Sequence, residues 1–107
     1  MAFTATADIE LWESANLKMN LPAETRSMLF RFRDAGDEEV LIGAHASDPE
    51  GTPFSQGSRH TNVTLTFWAA QEAVSIVHPG DSFVVWCGGD IGQGRVIGVN
   101  PGKEPKR

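Results

Sequence analysis

Apolar residues in this chain recur at every second position, in short runs punctuated by glycine, proline and aspartate. Such a period leaves little choice but extended strands with one face turned to a core. From Ala5 to Trp12, Ala5, Ala7, Ile9 and Leu11 share one face, and Thr6, Asp8, Glu10 and Trp12 the other. Ser27 to Arg33 alternates in the same way, and Asp34-Ala35-Gly36-Asp37 reads as a hairpin turn into a partner strand from Glu39 to His45. Asn62 to Trp68 sets Val63, Leu65 and Phe67 against Thr64, Thr66 and Trp68. Glu72 to Val77 reads as a further short strand, and His78-Pro79-Gly80-Asp81 as a turn. Ser82 to Cys87 is a continuous apolar run, which predicts a buried strand, and Arg95 to Val99 closes the sheet after a turn at Gly88-Gly89-Asp90. Asn16 to Arg26 has no clear period; Pro22 there marks a turn or the first position of a short helical turn.

Short strands with turn signals between them predict an all-β fold, a small antiparallel β-barrel. Its expected core is Ile9, Leu11, Phe30, Phe32, Val63, Leu65, Phe67, Val84, Trp86 and Val96. A chain of 107 residues suits one domain, expected over residues 1–99, with a flexible Pro-, Gly- and charge-rich tail over 100–107.

Charge narrows the function classes. There are 14 acids against 9 bases, a formal net charge of -5, and residues 1–54 hold 10 of the acids and 4 of the bases. An acidic chain repels phosphate at long range, which argues against a general nucleic-acid binder. A single cysteine, Cys87, precludes an intramolecular disulfide. No basic leader with a long apolar stretch opens the chain, and no run approaches the ~20 apolar residues of a membrane span. A cytoplasmic location is the expectation, with no membrane association.

Candidate chemistry is sparse. Gly89-Asp90-Ile91-Gly92-Gln93-Gly94 is glycine-rich, but a phosphate loop needs a helix after it, and Val96, Ile97 and Val99 read as strand. Those glycines suit a tight hairpin with a bulge. Cys87 ends an apolar run, where cysteine is mostly inert packing, and nothing in the sequence pairs it with His45, His60 or His78. The histidine spacings match no short metal-ligand motif, and Asp48, Glu50, Asp81 and Asp90 occupy turns, where short acids bond locally. Trp12 and Trp68 fall on the polar faces of their strands, either as anchors of a binding surface or buried by a curling sheet.

The segment Gly51-Thr52-Pro53-Phe54-Ser55-Gln56-Gly57-Ser58-Arg59 resembles the Gly-Arg-x-Thr-Pro-Phe-x-x-Gly-Tyr-Arg segment in the third, C-terminal β-barrel domain of translation elongation factor Tu. Pro79-Gly80-Asp81 is similar to that domain's Pro-Gly-Asp turn. Gly88-Gly89-Asp90-Ile91-Gly92-Gln93-Gly94-Arg95-Val96 is similar to its closing Gly-Gly-Arg-x-x-Gly-x-Gly-x-Val hairpin. The resemblance spans about residues 5–99, with Asn16 to Glu39 unaligned. It implies a six-stranded antiparallel barrel closed by a bent, glycine-bearing last hairpin. It also implies a domain that packs on a GTPase domain and contacts transfer RNA. This chain departs from the pattern where cations are expected: Glu50-Gly51 replaces Gly-Arg, Ser58 replaces the tyrosine, and Asp90 replaces an arginine. Exchanging cation for anion opposite a phosphate backbone adds a repulsion, so transfer RNA is not expected as a partner.

The expected function is a non-catalytic, stand-alone module that binds a protein partner or self-associates. No catalytic residue, cofactor or metal is expected. The candidate binding residues are Thr52, Phe54, Arg59, Trp12, Trp68 and Arg95, centred on the loop Asp48 to Arg59, although Phe54 can also be read as a plug of the barrel end. The alternative is a small-molecule-binding or thiol-dependent enzyme domain that uses the barrel mouth.

Overall fold

A computed structural model describes residues 3–13, 21–33, 36–87 and 89–100. Six strands form a closed barrel: β1 (Thr4–Leu11), β2 (Glu24–Arg33), β3 (Glu39–Ser47), β4 (Arg59–Phe67), β5 (Ser82–Trp86) and β6 (Asp90–Asn100). Their order around the barrel is β1-β4-β3-β2-β5-β6, and every neighbouring pair is antiparallel. Closure gives every strand a hydrogen-bonded neighbour on each side. One helix, α1 (Ala70–Ile76), links β4 to β5. No helix among the described residues is long and apolar enough to cross a membrane.

The alternation becomes the core. Ala5, Ala7, Ile9 and Leu11 point inward from β1, Met28, Phe30 and Phe32 from β2, and Val63, Leu65 and Phe67 from β4. Rings run through the interior in sequence. Phe30 meets Phe83 edge-on at 5.3 Å, Phe83 meets Phe32 at 5.2 Å, Phe32 meets Phe67 at 6.3 Å, and Phe67 meets Phe3 at 5.7 Å. Small residues opposite them (Ala44 and Ala46 on β3) leave room for the rings.

The structure corrects the expected pattern in four places. On β5 the inward residues are Phe83 and Val85, while Val84 and Trp86 face out and are half-buried. An uninterrupted apolar run carries no face information. The register is decided by β6, where Phe83 lies opposite Gly94 and Val85 opposite Gly92. A Cβ on Gly94 would sit 2.4 Å from the Phe83 ring and 2.5 Å from the Asp8 carbonyl oxygen. These glycines lie inside β6, which begins at Asp90, and let the strand press against β1. Their expected place was in a tight hairpin before the strand. The second correction is at Glu72–Val77, which is helix α1 rather than strand. Ala70, Gln71, Glu72 and Ala73 are strong helix formers, and Ala73 and Val77, one turn apart, both bury.

The third correction is the start of β2. The strand begins at Glu24, ahead of the expected Ser27, because a register shift between Thr25 and Met28 leaves Arg26 and Ser27 both exposed. Fourth, Asn100 belongs to β6 rather than to the tail. Residues 101–107 lie outside the described residues, as do Asp34 and Ala35 of the first hairpin turn, Gly88 of the last, residues 14 and 15, and residues 16–20 of the segment left without a clear period.

Candidate functional site

The long connection from β3 to β4 is built around a polar triple in which Asp48 and His60 are buried and Ser58 is half-buried. Asp48 ends β3's path, and one of its carboxylate oxygens accepts the Glu50 amide at 2.7 Å. The other meets His60 Nδ1, and His60 Nε2 lies 2.7 Å from Ser58 Oγ. Ser58 Oγ in turn donates to the Ser55 carbonyl at 2.6 Å and accepts the Ser55 amide at 3.0 Å. Phe54 is fully buried and lays its ring 4.4 Å from the His60 ring. Backbone bonds between Leu21 and Phe54, in both directions, tie this loop to the strand entering β2. Burial pushes the Asp48 carboxyl up, but the His60 hydrogen bond and charge, with the Glu50 and Thr52 amides, outweigh it and hold the group below the usual carboxylate range.

An Asp-His-Ser chain is also the order of a hydrolytic relay. A nucleophile must release its proton to the imidazole and be open to substrate. Here the hydroxyl proton goes to a backbone carbonyl, and the imidazole is sealed beneath Phe54. The triple therefore suits the fastening of a loop. Phe54 takes its plug position, and its ring is not on the surface; Thr52 and Arg59 are exposed beside it.

Arg59 and Arg95 do come together. Both line an open trough of about 940 Å³ across the outer faces of β4, β1, β6, β5 and β2. Its floor is a register row, Arg59 opposite Glu10, Glu10 opposite Gln93, Gln93 opposite Val84 and Val84 opposite Arg31. Arg59 pairs with Glu10 at 3.4 Å. Arg31 forks onto Asp90 with bonds of 2.8 and 3.0 Å and also reaches Glu39 at 3.6 Å. The Arg31 hydrogen bond holds the Asp90 carboxyl below its ordinary range. Asp90, where the family pattern has an arginine, thus clamps the β5–β6 turn to β2. The trough interleaves both signs of charge, unlike a cationic channel for phosphates.

Trp68 lies just past the other end of β4, about 30 Å from Arg59 at a strand's rise per residue. It is 58% exposed. Its ring packs closely against Gly43 of β3, where a Cβ would stand 2.4 Å from it, and its amide donates to the Gly43 carbonyl at 3.2 Å. Around it on the same outer face are Leu41, which is exposed, and Leu29 and Trp86, which are half-buried and opposite one another. Trp12 is half-buried, its amide donating to the Ile91 carbonyl, and does not join this patch. Sequence reasoning missed Gly43, Leu29 and Leu41 as parts of a surface. The outward phase of Leu41 in β3 was the available signal.

Cys87 is exposed at the turn after β5 rather than packed in the core, because the strand ends at Trp86. No histidine is hydrogen-bonded to it among the described residues. Nor do three or more His, Cys, Asp or Glu side chains there gather in a group that could hold a metal ion. Comparison with known proteins returns no protein-family profile, no curated protein and no solved structure that matches the chain.

Proposed function

We propose that this chain is a non-catalytic protein-binding module, a relative of the third domain of elongation factor Tu, whose contact face is the outside of β5, β2 and β3 around Trp68. The exposed Trp68 ring, packed closely against Gly43, is the observation that carries this reading. A large aromatic already fixed in place loses little conformational entropy on binding, and tryptophan is enriched among residues that dominate interface energetics. Leu41, Leu29 and Trp86 extend it into a continuous apolar patch, a feature that marks interaction surfaces on small domains. The kinship with the elongation factor domain is supported by the quoted segments and by the six-stranded antiparallel barrel. Transfer RNA is not among the proposed partners, because the trough alternates its charges and Asp90 holds Arg31.

The test is affinity capture from the native host with the wild-type chain and with Trp68→Ala combined with Leu41→Ser, both exposed positions whose change spares the core. The expected result is a specific protein retained by the wild type and lost from the double variant. Capture that is equal for both, or a chain that purifies alone with a tightly held small molecule, overturns the reading.

A further inference from the structure

The contacts of His60 constrain where its protons lie. Ser58 Oγ has one proton and two lone pairs. It lies 2.6 Å from the Ser55 carbonyl oxygen, which has no proton to offer, so the hydroxyl proton occupies that contact. One lone pair accepts the Ser55 amide at 3.0 Å. The other faces His60 Nε2 at 2.7 Å, so the nitrogen donates there. On the opposite side of the ring, Nδ1 meets a carboxylate oxygen of Asp48. Asp48 is held below the usual carboxylate range and is therefore an acceptor only. A ring protonated at both nitrogens satisfies all four contacts. A neutral ring leaves either two oxygens 2.6 Å apart with no proton between them or a nitrogen lone pair aimed at a carboxylate. Asp48 is also the one charged side chain set against the ring among the described residues. Ile9, opposite His60 on β1, and Phe54 are apolar. Asp8 and Glu10 on β1 and Arg59 on β4 line the outer trough, and Glu50 in the connection and Glu24 on β2 are exposed.

We infer that His60 is a buried imidazolium, and that Asp48, His60 and Ser58 form a proton-gated latch on the connection from β3 to β4. The two ring protons tie both ends of that connection, Asp48 at its start and Ser58 at its close, to one residue of β4. Loss of one proton leaves a single donor for two acceptors, so one end comes free. It also removes the counter-charge that offsets the burial of Asp48. The loop that carries Phe54 then keeps its backbone bonds to Leu21 but loses half of its side-chain fastening. Histidine is the side chain suited to such a gate. The sign is fixed by the chemistry: rising pH removes the ring proton and opens the latch. Falling pH opens it only by protonating Asp48, below the usual carboxylate range. Between those limits the latch is closed.

The experiment is a pH series of nitrogen-15 NMR spectra of the histidine rings in the whole chain. Amide exchange at Leu21 and Phe54, corrected for the intrinsic rate, is measured on the same samples. At pH 7 both His60 ring nitrogens are expected to carry directly bonded protons. As pH rises, loss of one of them should coincide with a fall in protection at Leu21 and Phe54 of about tenfold, on the scale of one hydrogen bond to a charged group. Protection at Ala5, Ala7 and Ile9 in β1 should stay constant, which separates a local opening from global unfolding. Ser58→Ala, a small change at a half-buried position, removes the acceptor of Nε2 and should move both events to lower pH together. A single protonated ring nitrogen in the wild type at pH 7 overturns the proposal. So does a ring that keeps both protons up to global unfolding, protection that holds at Leu21 and Phe54 where the proton leaves, or a transition unmoved by Ser58→Ala.

Discussion

Phe54, in the connection from β3 to β4, and Arg59, at the start of β4, stand five positions apart and do opposite work. Phe54 is wholly inside, its ring tilted against that of His60, whereas the Arg59 side chain is 80% exposed and pairs with Glu10. Truncating a buried phenylalanine removes its apolar burial and leaves a cavity beside the Asp48–His60 pair. Phe54→Ala should therefore lower stability by about 3–5 kcal/mol, and Arg59→Ala should stay within about 0.5 kcal/mol. Urea unfolding monitored by tryptophan fluorescence separates the two. A Phe54→Ala midpoint equal to that of the wild type would mean that the loop does not plug the barrel. Conversely, a change at Phe54 reports on folding, so it cannot serve as a probe of partner contact.

Strand β6 shows how one element sets another's register. Its glycines at 92 and 94 carry no side chain where Leu11 and Phe83 need the volume. Gly94→Val would force branched methyl carbons into the Phe83 ring and the Asp8 carbonyl, at separations no real Cβ adopts. The cost expected for overpacking is about 1–3 kcal/mol. It should come with faster amide exchange in β5 and β6, because the strain falls on the pairing between them. Hydrogen exchange read by mass spectrometry checks this; protection unchanged in Ser82–Trp86 would show that β5 takes its register from somewhere else.

At the scale of the whole barrel, the buried Asp48 couples stability to acid. Its carboxyl titrates below its ordinary value in the folded chain. The stability it contributes is therefore complete above the unfolded-state value of about 3.9 and is lost as pH falls through the lower folded value. Asp48→Asn should be less stable than wild type at pH 7, and the gap should narrow as pH drops below about 4. Thermal midpoints of both chains between pH 7 and pH 2 test it. A gap of constant size across that range would mean that the carboxylate's charge plays no part. Asp90 shares the direction of shift through Arg31, so the wild type's own acid slope is not Asp48's alone.

What the sequence determined by itself is the set of elements whose two faces differ. In β1 every inward position is apolar, in β4 every one but His60, and nearly every outward one is Thr, Asp, Glu or Asn. A shift of one residue would bury those polar groups, so periodicity alone settles strand and face. The resemblance also singled out Arg59 and Arg95, which the barrel places in one trough. Tertiary structure decided the rest, wherever local pattern is degenerate. The apolar run of β5 could turn either way until Gly94 offered space to Phe83, with Val85 opposite Gly92. The spacing of Ala70, Ala73 and Val77 serves a helix as readily as a strand's end, and packing against the core made it α1. His60 held a latent signal, since a histidine facing inward requires a polar partner, but that partner is Asp48, across an irregular loop with no period to read. The Trp68 platform was equally hidden, because it needs a glycine on a neighbouring strand, and only closure of the barrel brings Gly43 beneath the ring.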